Sequence, residues 1–208
     1  MIIKNIYSFK GGLEYLEENH KDELKDIYDA VESMNIYNIF SKKPKESNKP
    51  SVIFSPGVMN KELGDFLFRN GWLKENKKNK KGYEEPRIYF NDREYRAMDG
   101  IKNKVGLEIQ IGKYSFMAYD IFCKMPIFYK KGLIECGIEL VPGNKKMLKY
   151  MSSGVSSFNQ IVMDIKARGE SDIDIPVVIL GFECTEYDWN VVNQIREKGV
   201  SEDTGLKG

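Results

Sequence analysis

Histidine is almost absent: His20, in the polar stretch E-E-N-H-K-D, is the only one in 208 residues. Imidazole-based triads and histidine-rich metal sites are therefore nearly excluded, and carboxylates become the ligands to look for. Cysteine is scarce too. Cys123, Cys136 and Cys184 lie far apart and fit no zinc spacing. An odd cysteine count, with no apolar leader in M-I-I-K-N-I-Y, points to reduced thiols and a cytoplasmic location. No run approaches the roughly 20 apolar residues of a membrane helix, so no membrane partner is expected. Excess charge of one sign is also missing. With 32 basic and 31 acidic residues the net charge is +1, which excludes a globally basic DNA-coating protein but not a local basic face. There is no G-x-G-x-x-G, P-loop, internal repeat, low-complexity tract or clear linker. What remains is 41% hydrophobic and 30% charged, enough for one well-buried core and read as a single domain over residues 1–208.

Ile2 to Tyr7 is a short apolar stretch, a strand or a packed arm, broken by Gly11-Gly12. Leu24, Ile27, Tyr28 and Val31 follow at the spacing of a one-faced helix. Ser41 to Pro50 is a polar basic loop, Ser51 to Phe54 a brief strand and Ser55-Pro56-Gly57 a turn. A second helix is expected from Asn60, as cap, through Leu63, Phe66 and Leu67 to Gly71. Lys74 to Lys81 is the most basic run, read either as a solvated loop or as a segment that tracks a phosphate backbone. Arg87 to Phe90 is a short strand. Ser115 can cap an apolar helix that Pro126 should kink or end early. Leu133 to Val141 is a strand, Phe158 to Ile165 a helix, and Pro176 to Phe182 a continuous apolar run of the doubly covered kind. The tail, about 183–208, is a C-terminal extension with a short helix around Trp189, Val192 and Ile195 and frayed last residues. Strands and helices alternate in the second half, so the class is α/β, a central mixed β-sheet flanked by helices.

The most informative stretch is D-G-I-K-N-K-V-G-L-E-I-Q-I-G-K-Y-S, Asp99 to Ser115. Val105, Leu107, Ile109 and Ile111 alternate with Gly106, Glu108 and Gln110, which is a strand with one face packed on a core. Glu108 and Gln110 then share the other face, about 7 Å apart. Asp99 stands in an Asp-Gly turn signal, and the link Ile101 to Lys104 can fold it back beside Glu108. Two carboxylates and an amide at one strand end suffice for a hard divalent cation. Equally, a solvated strand face carries Glu and Gln without catalytic reason.

The run E-I-Q-I-G-K-Y-S-F-M-A-Y-D-I-F, Glu108 to Phe122, resembles the catalytic strand and following helix of the BglII/BstYI-type restriction endonucleases. The resemblance continues in order through Ile6 to Leu16, Phe54 to Asn60, Gly71-Trp72, Gly137 to Pro142, Met151 to Ser156 and Pro176 to Gly181. It covers most of the chain to about Phe182; the segment from Lys74 to Tyr95 and the tail after Glu183 match less clearly.

That resemblance implies a PD-(D/E)xK restriction-endonuclease-like core. The motif maps as Asp99, Glu108 and Gln110, with glutamine where the superfamily usually has lysine, as in the BglII/BstYI type. It implies Mg²⁺ held by Asp99, Glu108 and the Ile109 carbonyl, with Gln110 orienting the attacking water. By position, Lys113 and the M-S-S-G loop, Ser152 and Ser153, are the expected DNA-binding residues, with Lys113 and Ser153 reaching base edges. Surface-turn and capping roles are the ordinary alternatives for the same residues. The implied substrate is double-stranded DNA at a palindrome containing GATC (RGATCY-like), cut to leave 5′ overhangs. The implied assembly is a homodimer. A repair or structure-selective nuclease and a non-cutting DNA-binding relative remain the competing readings. A metabolic enzyme is the weakest.

Overall fold

The computed structural model describes residues 1–73 and 86–204, with backbone alone for Tyr114, Ser115 and residues 199–204. The N-terminal half contains β1 (Ile2–Phe9), α1 (Gly12–Asn19), α2 (Lys21–Ser33), α3 (Ile36–Ile39), β2 (Phe40–Lys42), β3 (Ile53–Phe54) and α4 (Pro56–Arg69). Then come β4 (Arg87–Tyr89), β5 (Tyr95–Ala97), β6 (Gly100–Lys102), β7 (Val105–Ile109), α5 (Tyr114–Tyr119), a π-helical turn (Asp120–Lys124) and α6 (Met125–Lys130). The chain ends with β8 (Cys136–Pro142), α7 (Lys145–Lys149), α8 (Phe158–Arg168), β9 (Val177–Glu183) and α9 (Glu186–Thr204).

The main sheet has the order β1-β9-β8-β7-β6. Its three inner strands are parallel, and β1 and β6 close the two edges antiparallel. This is the mixed sheet expected from the alternation of elements. Parallel neighbours need crossovers, and each crossover puts helix residues on one common face, while α7 of the second crossover packs its Met147 on the other. Met117, Ile121, Met125 and Phe128 from the β7–β8 crossover join Phe158, Ile161 and Ile165 of α8 in one apolar cluster there. The opposite face takes Leu16, Ile27, Val31, Met59, Leu63 and Val192 from α1, α2, α4 and α9.

Double coverage corrects one expectation. Every residue of β7 is buried, including Gly106 and Glu108, so the strand has no solvated face. The alternation was real, but the face carrying Glu108 is roofed by the crossover helix. Two glycines let that face pack closely. A Cβ on Gly137 would stand 2.5 Å from Met125 Sδ, and one on Gly106 would stand 2.8 Å from Met98 Cε. Gly137→Ala should cost about 1 kcal/mol, because the methionine can swing partly aside. A chemical-denaturation midpoint unchanged from wild type would contradict that packing.

Local boundaries differ in several places, and in the tail α9 runs from Glu186 to Thr204, well past the short helix expected around Trp189, Val192 and Ile195. α4 begins at Pro56 rather than Asn60, because proline at a helix's first position gives up an amide that has no partner anyway. The Asp-Gly pair is not the turn. Gly100 already belongs to β6, and the chain reverses at Asn103 and Lys104, whose φ values of 44° and 65° make the tight hairpin twist that matches paired strands. α5 begins at Tyr114 with Lys113 in the cap position, two residues ahead of the expected Ser115. The kink expected at Pro126 takes the form of the π-helical turn just before it, where the Met125 N–H donates to the Asp120 carbonyl. Widening the helix there moves backbone carbonyls away from the proline ring.

Candidate active site

Hairpin register sets the first two residues. Gly100 pairs with Leu107, so Asp99 arrives opposite Glu108. Asp99 is exposed, and its Oδ2 accepts the Ile109 N–H at 2.8 Å. Within a strand a residue's N–H and C=O point to the same edge, so the Ile109 carbonyl also faces the Asp99 side. On the other edge, the Gln110 N–H donates to the Leu140 carbonyl at 2.9 Å and extends the ladder one residue past β7.

Glu108 is only 3% exposed and lies in register with Glu139 on the next strand, both beneath the crossover helix. Neither carboxylate oxygen of Glu139 has a hydrogen-bond partner among the described residues. From the roof, Lys124 Nζ reaches Asp120 Oδ1 at 2.6 Å and Glu108 Oε1 at 2.9 Å. The Glu108 contact is close but off hydrogen-bonding alignment. Gln110 Nε2 donates to Asp120 Oδ2 at 3.3 Å, and Gln110 Oε1 accepts the Gly112 N–H at 3.2 Å.

These contacts set the charge balance. Burial pushes Glu108 well above the usual carboxylate range, the Asp99 charge adds to it, and Lys124 opposes it. Burial likewise raises Asp120 against the pull of Lys124. Glu139 is raised by burial first, then by Asp120 and Glu108. Burial works against the Lys124 ammonium too, but Glu108 and Asp120 outweigh it and hold that pKa above the ordinary lysine value. Among the described residues, Glu108, Asp120 and Glu139 thus gather around the buried Lys124 ammonium and Asp99 adds its charge from the exposed side, an acid-rich pocket that suits an added cation.

Among the described residues no three Asp, Glu, His or Cys side chains converge as a ready-made metal cage. Mg²⁺ does not need one, since it keeps several waters and is commonly held by one or two carboxylates. The oxygen donors of Asp99, Glu108 and the Ile109 carbonyl suit such a hard ion. Of the remaining expected residues, Lys113 is exposed and its backbone bridges Val155, which brings it beside the Met151–Val155 loop. Within that loop Ser152 Oγ accepts from Lys42 Nζ at 2.7 Å, and the Ser153 N–H donates to Glu46 Oε1 at 3.2 Å. The basic run Lys74 to Lys81 lies outside the described residues.

Three members of the pocket were not singled out from sequence: Asp120, Lys124 and Glu139. The signals were there. Asp120 and Lys124 stand four apart in an otherwise apolar helix, and Glu139 is a lone acid in the apolar strand G-I-E-L-V.

A sequence model of the restriction endonuclease BglII/BglIII family matches residues 4–182. The chain belongs to this family. As a BglII-family member it is a type II restriction endonuclease, a site-specific deoxyribonuclease that binds DNA. No curated protein matches the chain. Among solved structures, restriction endonuclease BglII complexed with a DNA 16-mer is similar at a TM-score of 0.68 and 18% identity, over 89% of this chain and 78% of that one. Free BglII is similar at 0.61 and 18%, over 89% and 82%. At that identity the likeness speaks for the fold, and it agrees with the restriction-endonuclease-like core that the motifs implied. Among the described residues no helix is long and apolar enough to cross a membrane.

Proposed function

We propose that this BglII-family chain is a Mg²⁺-dependent endonuclease that cuts both strands of a palindrome with a GATC core (RGATCY-like), leaving 5′ overhangs. The observation that carries the reading is the Asp99 carboxylate bonded to the Ile109 amide opposite the buried Glu108. Asp99, Glu108 and the Ile109 carbonyl hold the ion. When bound, Mg²⁺ acidifies a water and offsets charge on the phosphate and the leaving 3′-oxygen.

Gln110 keeps one N–H and one lone pair beyond its contacts to Asp120 and Gly112, enough to orient the attacking water. Lys113 donates to a guanine edge, and Ser152 and Ser153 approach the DNA from the neighbouring loop. A palindrome cut on both strands calls for a two-fold homodimer with one such site per subunit.

The test is digestion of unmethylated plasmid DNA with Mg²⁺, an EDTA control and sequencing of the ends. Discrete ends sharing a GATC core are expected. Ragged ends would favour a repair-type nuclease instead, and binding without cutting would favour a non-cutting relative.

A further inference from the structure

We infer that Lys124 supplies, from the crossover helix, the positive charge that the strand lacks at position 110, and that it is a positioning residue acting through Glu108. The inference rests on the proposed metal-binding role of Asp99 and Glu108.

Lysine at position 110 would bring an ammonium up from the floor of the pocket. Here Gln110 stands there, and its Nε2 donates to Asp120 Oδ2. Asp120 Oδ1 in turn holds Lys124 Nζ at 2.6 Å, and Lys124 lies 2.9 Å from Glu108 Oε1. The path Gln110–Asp120–Lys124–Glu108 joins the strand's end to the roof and back to the strand. Each link has a reason to stay. The Lys124 side chain is 14% exposed and Asp120 is 3% exposed, so neither partner can trade the other for water without a large penalty. Asp120 and Lys124 are also the first and last residues of the π-helical turn, a distortion that recurs at functional sites.

Because Asp120 anchors it separately, Lys124 does not depend on Glu108 to stay in the pocket. Its charge holds one oxygen of Glu108 at 2.9 Å and leaves the second oxygen as the one presented to an ion. A lysine that merely competes with an ion for the same carboxylates behaves differently. Its removal would ease metal binding and leave the saturated rate alone.

Single-turnover cleavage of a GATC-containing palindromic duplex, measured across a Mg²⁺ titration, separates the two. Lys124→Met should lower the rate at saturating Mg²⁺ about 100-fold while Ca²⁺-supported DNA binding stays within about threefold of wild type. Lys124→Arg should recover most of that loss. In the double variant Gln110→Lys, Lys124→Met, which returns the ammonium to the strand, the rate should exceed that of Lys124→Met by about tenfold.

A Lys124→Met enzyme with the wild-type saturated rate, needing only less Mg²⁺, overturns the inference. Should Lys124→Met not fold, the arginine and double variants decide, since both keep a buried cation. A folded arginine variant and a folded double variant that are both inactive would overturn it equally. A wild-type protein that does not cut at all removes the nuclease reading and this inference with it, whereas wild-type cutting beside an unaffected Lys124→Met removes this inference alone.

Discussion

Glu108→Gln is expected to reduce cleavage by at least about 10³-fold while the protein remains folded. The amide has the same shape and keeps an oxygen at the same place, so packing under the crossover helix is preserved. What disappears is the negative charge facing the proposed ion. Folding should tolerate the change well, because burial already disfavours the ionised form of Glu108. Asp99→Asn makes the companion variant. Its remaining carbonyl oxygen can still accept the Ile109 N–H, so a comparable loss of rate would report charge rather than geometry. Single-turnover rates beside thermal melts are the measurement. Wild-type rates in either folded variant would remove that residue from the metal site.

Glu139→Leu should make the protein more stable, by about 2 kcal/mol near pH 8, which for a chain of this size is a rise in Tm of roughly 5 °C. Glu139 is fully buried, and its oxygens have no hydrogen-bond partner among the described residues. Leucine is similar in volume, and Ile179, in register with position 139 on β9, is apolar.

The pH dependence has a definite sign. Glu139 has a folded pKa raised above its unfolded value, so its folded form binds the extra proton. Its stabilising contribution is complete below the ordinary carboxylate range and is lost as pH rises through the raised value. The advantage of Glu139→Leu should therefore be small near pH 4 and grow towards pH 8. Melts across that range check it, and a gap that shrinks as pH rises would contradict the assignment of Glu139 as a strained buried acid. A buried acid that lowers stability and is nonetheless present in the pocket fits the usual exchange of stability for function.

The sequence made the strand β7 and the pair Asp99 and Glu108 legible because a period of two and an ordered set of motifs both point at them. The helix stripe at Leu24, Ile27, Tyr28 and Val31 and the apolar run that became β9 were readable on the same grounds. Coverage of a strand's second face was not readable, since it depends on where a helix from later in the chain comes to rest. That is why the sequence places Glu108 on an open face and the fold buries it. The same blind spot hid Asp120, Lys124 and Glu139, which meet Glu108 through the β7–β8 register and a helical distortion set by Pro126. The short hairpin β4–β5 was half visible, with its first strand expected and its second not, because Tyr95–Ala97 is too brief to show a period.

The turn at Asn103 and Lys104 reaches further than its size suggests. Asp99 and Glu108 are joined through that one hairpin, so their meeting requires closure of a loop of only about ten residues, an event on the order of 10–100 ns. The sheet as a whole closes only when β1 finds β9 from the opposite end of the chain. The acidic pair is thus local in chain topology while the scaffold around it is not. One residue inserted at the turn would shift the strand register by a single step and turn Asp99 to the wrong side of the sheet. The spacing of the two acids is a property of turn length, and a chain with a longer turn there would need a different pair.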